Sequence, residues 1–264
     1  PAFLDPRSEA QARADVRALI AAPEAPHQAA HTVPFGVHVE GEVTVNGEEV
    51  MDRVKRERDR FVGFVLEGVE NIPAEDKIRG YARFESDTVL RVDDHTEIHA
   101  SRVVIATGSR PSVPPPFRGL GDRLVLNDDV FAWDDLPRRV AVFGPGVIGL
   151  ELGQALARLG VEVRVFGVSG SLGGISDPQV RHSARKIFQQ EFYLDPDARV
   201  LETQRVGDEV EVRYVALDNT ERTERFDYAL VATGRRPNVD GLGLEDTTLK
   251  LDAHGVPQCD RETM

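Results

Sequence analysis

The stretch Val140-Ala141-Val142-Phe143-Gly144-Pro145-Gly146-Val147-Ile148-Gly149-Leu150-Glu151-Leu152-Gly153 decides how the rest of the chain is read. Apolar residues run into glycines at the spacing Gly-x-Gly-x-x-Gly, and a helical pattern then continues to Leu159. A buried strand, a tight turn and a helix start, in that order, make a cradle for a pyrophosphate. Gly144 turns the chain, Gly146 lets the backbone approach the anion, and Gly149 lets helix and strand pack closely. The helix begins at Val147 and Ile148, so its unpaired N–H groups and positive dipole end face the same anion.

Working outward, Gly160 stands where the helix should stop and Val161 to Phe166 reads as the next strand, which completes a β-α-β unit. A carboxylate about 20 residues after the glycines would take both ribose hydroxyls of NAD. Here the second strand ends Val165-Phe166-Gly167-Val168-Ser169-Gly170-Ser171, with Gly167 at that place and no acid. Ser169 and Ser171 can donate to either coenzyme. The nearest arginines, Arg181 and Arg185, fall on the following helix. NAD and NADP therefore stay open, and the lack of an arginine in the loop favours NAD.

Composition narrows the function classes. The 264 residues suffice for two modest cores, and no apolar run approaches the length of a membrane-spanning helix. The polar, mixed-charge start does not read as a signal peptide, so the expected location is cytoplasmic. A net charge of −13 argues against nucleic acid or an anionic membrane surface as partner, because either would need a basic face. The single cysteine, Cys259, excludes an intrachain disulfide, a CxxC pair and a cysteine-rich zinc site, and the histidines show no metal-binding spacing.

Along the chain, Ala10 to Ala30 reads as helix broken near Pro23 and Pro26, and Pro34 to Val45 as an extended segment with alternating valines. Asn46-Gly47 reads as a turn. A long helix is expected from Glu48 to Asn71, with Val50, Val54, Phe61, Val65 and Val69 forming a packing face. Lys77 to Ile98 reads as a small sheet turning at Asp93-Asp94, and Val200 to Tyr228 as strands with a hairpin turn at Asp218-Asn219. Ser101 to Pro111 reads as a buried strand ending in Ala106-Thr107-Gly108. The phrase returns at Phe226 to Asn238, where a strand ends in Ala232-Thr233-Gly234.

With two strand-Ala-Thr-Gly phrases flanking the Gly144 turn, Glu151 behind it and the ending Asp260-Arg261-Glu262-Thr263-Met264, the sequence resembles the pyridine-nucleotide-disulfide oxidoreductases, most closely the dihydrolipoamide dehydrogenase-like branch. The likeness covers roughly residues 20 to 264. It implies α/β architecture: a Rossmann-like three-layer NAD(P)-binding domain over residues 122–242, plus an incomplete FAD-domain remnant. The remnant comprises 1–121, with the long helix and small sheet, and 243–264, the start of the return to the FAD domain. It implies NAD(P) as the cofactor of this chain and FAD in the parent protein, a homodimer that passes hydride between NAD(P)H and FAD and on to a disulfide. Glu151 resembles the family's acidic residue near nicotinamide and flavin. The Ala106-Thr107-Gly108 and Ala232-Thr233-Gly234 phrases mark the crossings between the two cofactor domains.

The sequence also departs from the family. It has no opening Gly-x-Gly-x-x-Gly turn, no CxxxxC pair where Arg13 to Ile20 stands, and no later Ala-Gly-Asp phrase or His-Glu pair. The resemblance therefore implies a fragment or truncated gene product, with no catalytic residue of its own. Two alternatives stand beside it: a nucleotide-binding or interaction module without catalysis, and an FAD-dependent NADH oxidase-like reductase.

Overall fold

A computed structural model describes residues 18–35, 38–260 and 262. The expected helix over 10–17, most of Arg13 to Ile20, and Arg261, Thr263 and Met264 lie outside the described residues. In chain order the elements are α1 (Glu24–Ala30), α2 (Gly47–Glu70), β1 (Ala82–Ser86), β2 (Val89–Val92), β3 (Thr96–His99), β4 (Ser109–Pro111), β5 (Leu124–Val125), β6 (Arg139–Phe143), α3 (Val147–Arg158), β7 (Glu162–Phe166), α4 (Pro178–Glu191), β8 (Tyr193–Asp195), β9 (Arg199–Val206), β10 (Glu209–Val215), β11 (Glu221–Phe226), β12 (Tyr228–Val231) and β13 (Arg235–Pro237). They fall into two compact units, one of residues 63–110 and 235–262, the other of 18–62 and 111–234.

The larger unit is built on a parallel sheet of order β5-β12-β6-β7-β8. Its strands are nearly all apolar because both faces are covered. Alternation along β6 sorts its side chains. Val140 and Val142 join Leu152, Leu156, Val163 and Val165 in the core on the helical side. Ala141 and Phe143 point the other way, where Phe166, Ala229 and Val231 meet Val210, Val212, Tyr214 and Phe226. That second face is roofed by the antiparallel sheet β11-β10-β9, so the three layers are helix, parallel sheet and antiparallel sheet. Leu19, Met51 and Val54 are fully buried in the helical-side core, and residues 18–62 fall in this unit.

Glu224 ties the two sheets. From β11 it accepts hydrogen bonds from the Tyr214 hydroxyl of β10 at 2.5 Å, Arg164 Nε of β7 at 2.6 Å and Arg139 Nη2 of β6 at 2.7 Å. Both guanidiniums also lie over rings, Arg139 on Phe226 at 4.9 Å and Arg164 on Tyr193 at 5.0 Å. Burial pushes the Glu224 carboxyl up, but the hydrogen bonds from Tyr214 and Arg164 outweigh it and hold the group below the ordinary carboxylate value. The same burial, followed by the bond to Glu224, pushes the Tyr214 hydroxyl up.

In the smaller unit β1, β2 and β3 form an antiparallel meander closed over Phe84 and Val92. Arg91 of β2 bridges Glu85 and Glu97 at 2.7 Å each. Asp93 turns the chain with φ 47°, as the Asp93-Asp94 turn requires. β4 and β13 pair as a two-stranded ribbon, where Arg110 donates to Asn238 Oδ1 at 2.9 Å and pairs with Asp240.

Several expected elements differ. Ser101 to Gly108 has no strand ladder, and Val104 is 87 % exposed, because no neighbouring strand among the described residues pairs with it. Residues 38–45 likewise carry no strand, with Val39 and Val43 exposed, and Val33–Phe35 is a short 3-10 turn. Pro26 does not break a helix: it sits in the first turn of α1, where its missing N–H is not needed. Asn46-Gly47 is a helix start, with Asn46 Oδ1 accepting from the Glu49 N–H at 3.2 Å and Asn46 Nδ2 donating to Glu49 Oε1 at 3.1 Å. On α2 only Met51 and Val54 are buried, and Phe64 is 62 % exposed, so the packing face extends over the first two turns alone.

Replacing Glu224 by Gln is expected to cost about 2 kcal/mol at pH 7, since Arg139 and Arg164 lose the more buried of their two carboxylate partners and keep only the exposed Glu162. A carboxylate whose folded value is lowered stabilises above its unfolded value of about 4.3 and loses that contribution as pH falls through the folded value. Urea denaturation at pH 7 and at about pH 3.5 should therefore show the gap between wild type and E224Q narrowing in acid.

Candidate functional site

The carboxyl end of β6 is held between its parallel neighbours. The Gly144 N–H donates to Phe166 O at 2.8 Å and the Ala232 N–H to Phe143 O at 2.8 Å. Gly144 has φ 106°, a region that disfavours side chains, and a β-carbon there would strike the Ala232 carbonyl oxygen. A β-carbon on Gly149 would strike the Gly144 carbonyl oxygen. The protein itself therefore requires two of the three glycines.

Gly146 is different. Its φ and ψ of −74° and −177° are ordinary extended backbone, and a β-carbon there would meet no atom within 4 Å. Neither strain nor packing calls for glycine, and the position keeps a space open over the turn. Gly146 is also the N-cap of α3, with no side chain capping the first N–H groups. By contrast α4 is capped by Asp177, which accepts from the Gln179 and Val180 N–H groups at 2.8 and 3.0 Å. The first-turn N–H groups of Val147 and Ile148 have no intrahelical acceptor. An open-faced glycine beside uncapped donors fits a pyrophosphate held by backbone alone.

The second strand ends at Gly167, which is buried and braced. Its N–H donates to Asp195 O at 2.7 Å, and its carbonyl accepts from the Ala198 N–H at 2.9 Å. A β-carbon would lie 2.6 Å from Pro196 O and against the ring of Pro145. The ribose carboxylate is thus absent from a position that has no room for any side chain. Glu151 lies one turn into α3, exposed, with no hydrogen bond or ion pair among the described residues. Ala232 closes the turn from the β12 side, Thr233 Oγ1 donates to Ser112 O at 3.1 Å, and the Ser112 N–H donates to Gly234 O at 3.0 Å.

Ten of the expected residues therefore share one compact unit: Gly144, Gly146, Val147, Ile148, Gly149, Glu151, Gly167, Ala232, Thr233 and Gly234. Ala106, Thr107 and Gly108 belong to the other, where Asn238 holds them through Nδ2 to Thr107 O and its N–H to Gly108 O, both at 3.0 Å. A β-carbon added at Gly153 would meet Val165 Cγ2 at 3.4 Å, an ordinary contact, and Arg181 and Arg185 lie on α4, the helix after the loop. With His182 they line a cavity of about 230 Å³ beside the loop after β7. Their spacing of four puts them on one face of that helix.

The described residues form one strand-glycine turn-helix unit of this kind, so they supply no second cradle for a flavin pyrophosphate. Among them no histidine, cysteine and carboxylate cluster suits a metal ion, and no helix is long and apolar enough to cross a membrane.

A family model described as pyridine nucleotide-disulphide oxidoreductase matches residues 17–263. Dihydrolipoyl dehydrogenase of Chlamydia trachomatis is 29% identical over 248 residues, covering 91% of this chain and 51% of that protein. The Staphylococcus aureus dihydrolipoyl dehydrogenase is 30% identical over 243 residues, covering 89% and 50%. The Cu(II) complex of the HOCl-induced flavoprotein disulfide reductase RclA from Escherichia coli superposes with a TM-score of 0.72 at 20% identity, over 94% of this chain and 52% of that one. The chain spans about half the length of these relatives.

The glycines should separate by stability. Gly149→Ala is expected to lower unfolding free energy by about 2 kcal/mol, because a backbone carbonyl cannot yield to the new carbon. Gly146→Ala should stay within about 1 kcal/mol of wild type, a weaker N-cap being offset by reduced unfolded-state entropy. Denaturant titration of the two variants checks the ordering.

Proposed function

This chain belongs to the pyridine nucleotide-disulphide oxidoreductase family, and from that premise we propose that it is the NAD(P)H-binding portion of an FAD-dependent reductase resembling dihydrolipoyl dehydrogenase. The observation that carries the proposal is Gly146, a glycine that the protein's own backbone and packing do not require, placed at an uncapped helix start. In this reading the nucleotide-binding domain lies within 122–242, and the flanking 1–121 and 243–264 belong to the flavin side.

The pyrophosphate rests on Gly144, Gly146 and Gly149, taking the Val147 and Ile148 N–H groups as donors. Gly167 borders the adenosine ribose. Glu151, exposed on α3 and without a partner among the described residues, orients the nicotinamide end. The Ala106-Thr107-Gly108 and Ala232-Thr233-Gly234 segments carry the chain past the cofactors. FAD, when bound by the parent homodimer, would supply the relay that takes hydride equivalents from NAD(P)H to a disulfide. The residues of this chain hold and orient the coenzyme for that transfer. The charge of −13 accords with a cytoplasmic protein that engages neither nucleic acid nor membrane.

One observation favours binding without turnover for these 264 residues by themselves. Cys259 is the single cysteine and is exposed, so no dithiol can accept electrons and pass them on. The purified chain is expected to be colourless and to leave lipoamide unreduced by NADH. Stoichiometric FAD absorbance, or turnover that Cys259→Ser abolishes, would overturn this.

Coenzyme binding itself is tested by calorimetry with NADH and NADPH. Wild type is expected to bind at least one of them, and Gly146→Val to lose the affinity tenfold or more, about 1.4 kcal/mol, with an unchanged melting midpoint. Equal affinity in the two proteins would remove the basis of the proposal.

A further inference from the structure

Residues 167–175 run from the end of β7 back to the glycine turn and are held at both ends. At the near end the Gly167 N–H donates to Asp195 O at 2.7 Å and the Gly170 N–H to Pro196 O at 3.1 Å. Leu172 and Gly173 fix the far end. Leu172 is fully buried in the helical-side core, and of residues 168–176 it alone is buried. The Gly173 N–H donates to Pro145 O at 2.8 Å, and the Ile175 N–H closes on Leu172 O at 2.9 Å. The anchor is thus one tight turn around a leucine. The backbone enters it with φ 56° at Gly173 and 77° at Gly174, a region that disfavours side chains.

The bond to Pro145 sets the orientation of one peptide plane inside the turn. Pro145 supplies the carbonyl and Gly146 the N–H of the same trans peptide, so the two point in opposite directions. With the Pro145 oxygen drawn to Gly173, the Gly146 N–H is turned away from the loop, and it has no acceptor among the described residues. Gly146 is also where a β-carbon would meet no atom within 4 Å. With the plane reversed, the Pro145 oxygen would take the place of that donor and repel an anion. Resting on the reading that a dinucleotide lies on this turn, we propose that Leu172 is a positioning residue for its pyrophosphate. By anchoring the loop it keeps the Gly173 N–H on Pro145 O, and so aims the Gly146 N–H at the anion as a donor beside those of Val147 and Ile148. Fully buried, Leu172 cannot reach the coenzyme itself and acts through the loop. A donor to a charged oxygen that is lost or reversed weakens binding by about tenfold or more.

Titration of the whole chain with NADH, NADPH, ADP-ribose and adenosine, followed by calorimetry and by amide NMR, tests this on two variants. Leu172→Ala loosens the anchor. Replacing Gly173 by glycolic acid puts an ester oxygen in place of its N–H, which removes only the hydrogen bond to Pro145 and leaves the core intact where Leu172→Ala fails to fold. In both, ADP-ribose and the dinucleotide should weaken about tenfold, while adenosine, which has no pyrophosphate, stays within about twofold of wild type. Leu172→Met, which conserves volume, should restore most of the affinity. In wild type the Gly146 amide proton should move downfield on addition of ADP-ribose, and in the ester variant it should stay in place. Unchanged ADP-ribose affinity in the ester variant, or an equal loss for adenosine, overturns the inference and leaves the coenzyme reading standing. Failure of wild type to bind either dinucleotide removes the coenzyme reading and this inference together.

Discussion

The turn after β6 closes because Gly149 has no β-carbon to strike the Gly144 carbonyl and Gly144 has none to strike Ala232. That contact brings the start of α3 down onto the strand end, and everything about the candidate site follows from it. With the helix start so close, its first N–H groups sit at the mouth of the turn, and Gly146 leaves the space above them open. The geometry depends on short repulsive distances, which rise steeply, so it is far less tolerant than the surrounding core. An added carbon at Gly149 meets backbone, whereas Gly153 meets a valine methyl at 3.4 Å, which is ordinary contact.

Around the turn the layers are held by two kinds of force of unequal size. Tyr214, Phe226 and Phe166 are fully buried between the sheets, and each such aromatic contributes about 1.5–3 kcal/mol on transfer from water. The rings also contact one another edge-on, as Phe166 and Tyr214 do at 4.9 Å. Burial therefore dominates adhesion of the antiparallel layer. Glu224 adds direction, because its three donors come from β6, β7 and β10, and a sheet shifted by one residue would turn the carboxylate away from all of them.

The loop after β7 shows how one packing constraint changes what a site recognises. Gly167 is pinned by hydrogen bonds to the end of β8 and roofed by Pro145 and Pro196, so recognition at the ribose cannot come from the strand end.

Much of this was legible in the sequence for a simple physical reason: local periodicity and chain sterics act over a few residues. The β-α-β unit from Val140 to Phe166, the hairpin at Asp218-Asn219 and the Asp93-Asp94 turn needed no distant partner to be read. The Gly-x-Gly-x-x-Gly spacing likewise marked the cradle, although it could not separate the two glycines that packing demands from Gly146, which packing does not. Only tertiary structure decided the rest. Val103 to Ile105 has the composition of a buried strand, but a strand needs a ladder, and none pairs with it among the described residues. Phe61 and Val65 recur at helical spacing on α2, but periodicity cannot say where a neighbour ends, and the core reaches only Met51 and Val54. Counting along the chain does not say where Arg181 and Arg185 of α4 lie relative to Gly167. The fold brings their helix back beside the loop, because α4 must return along the sheet before β8 can pair with β7.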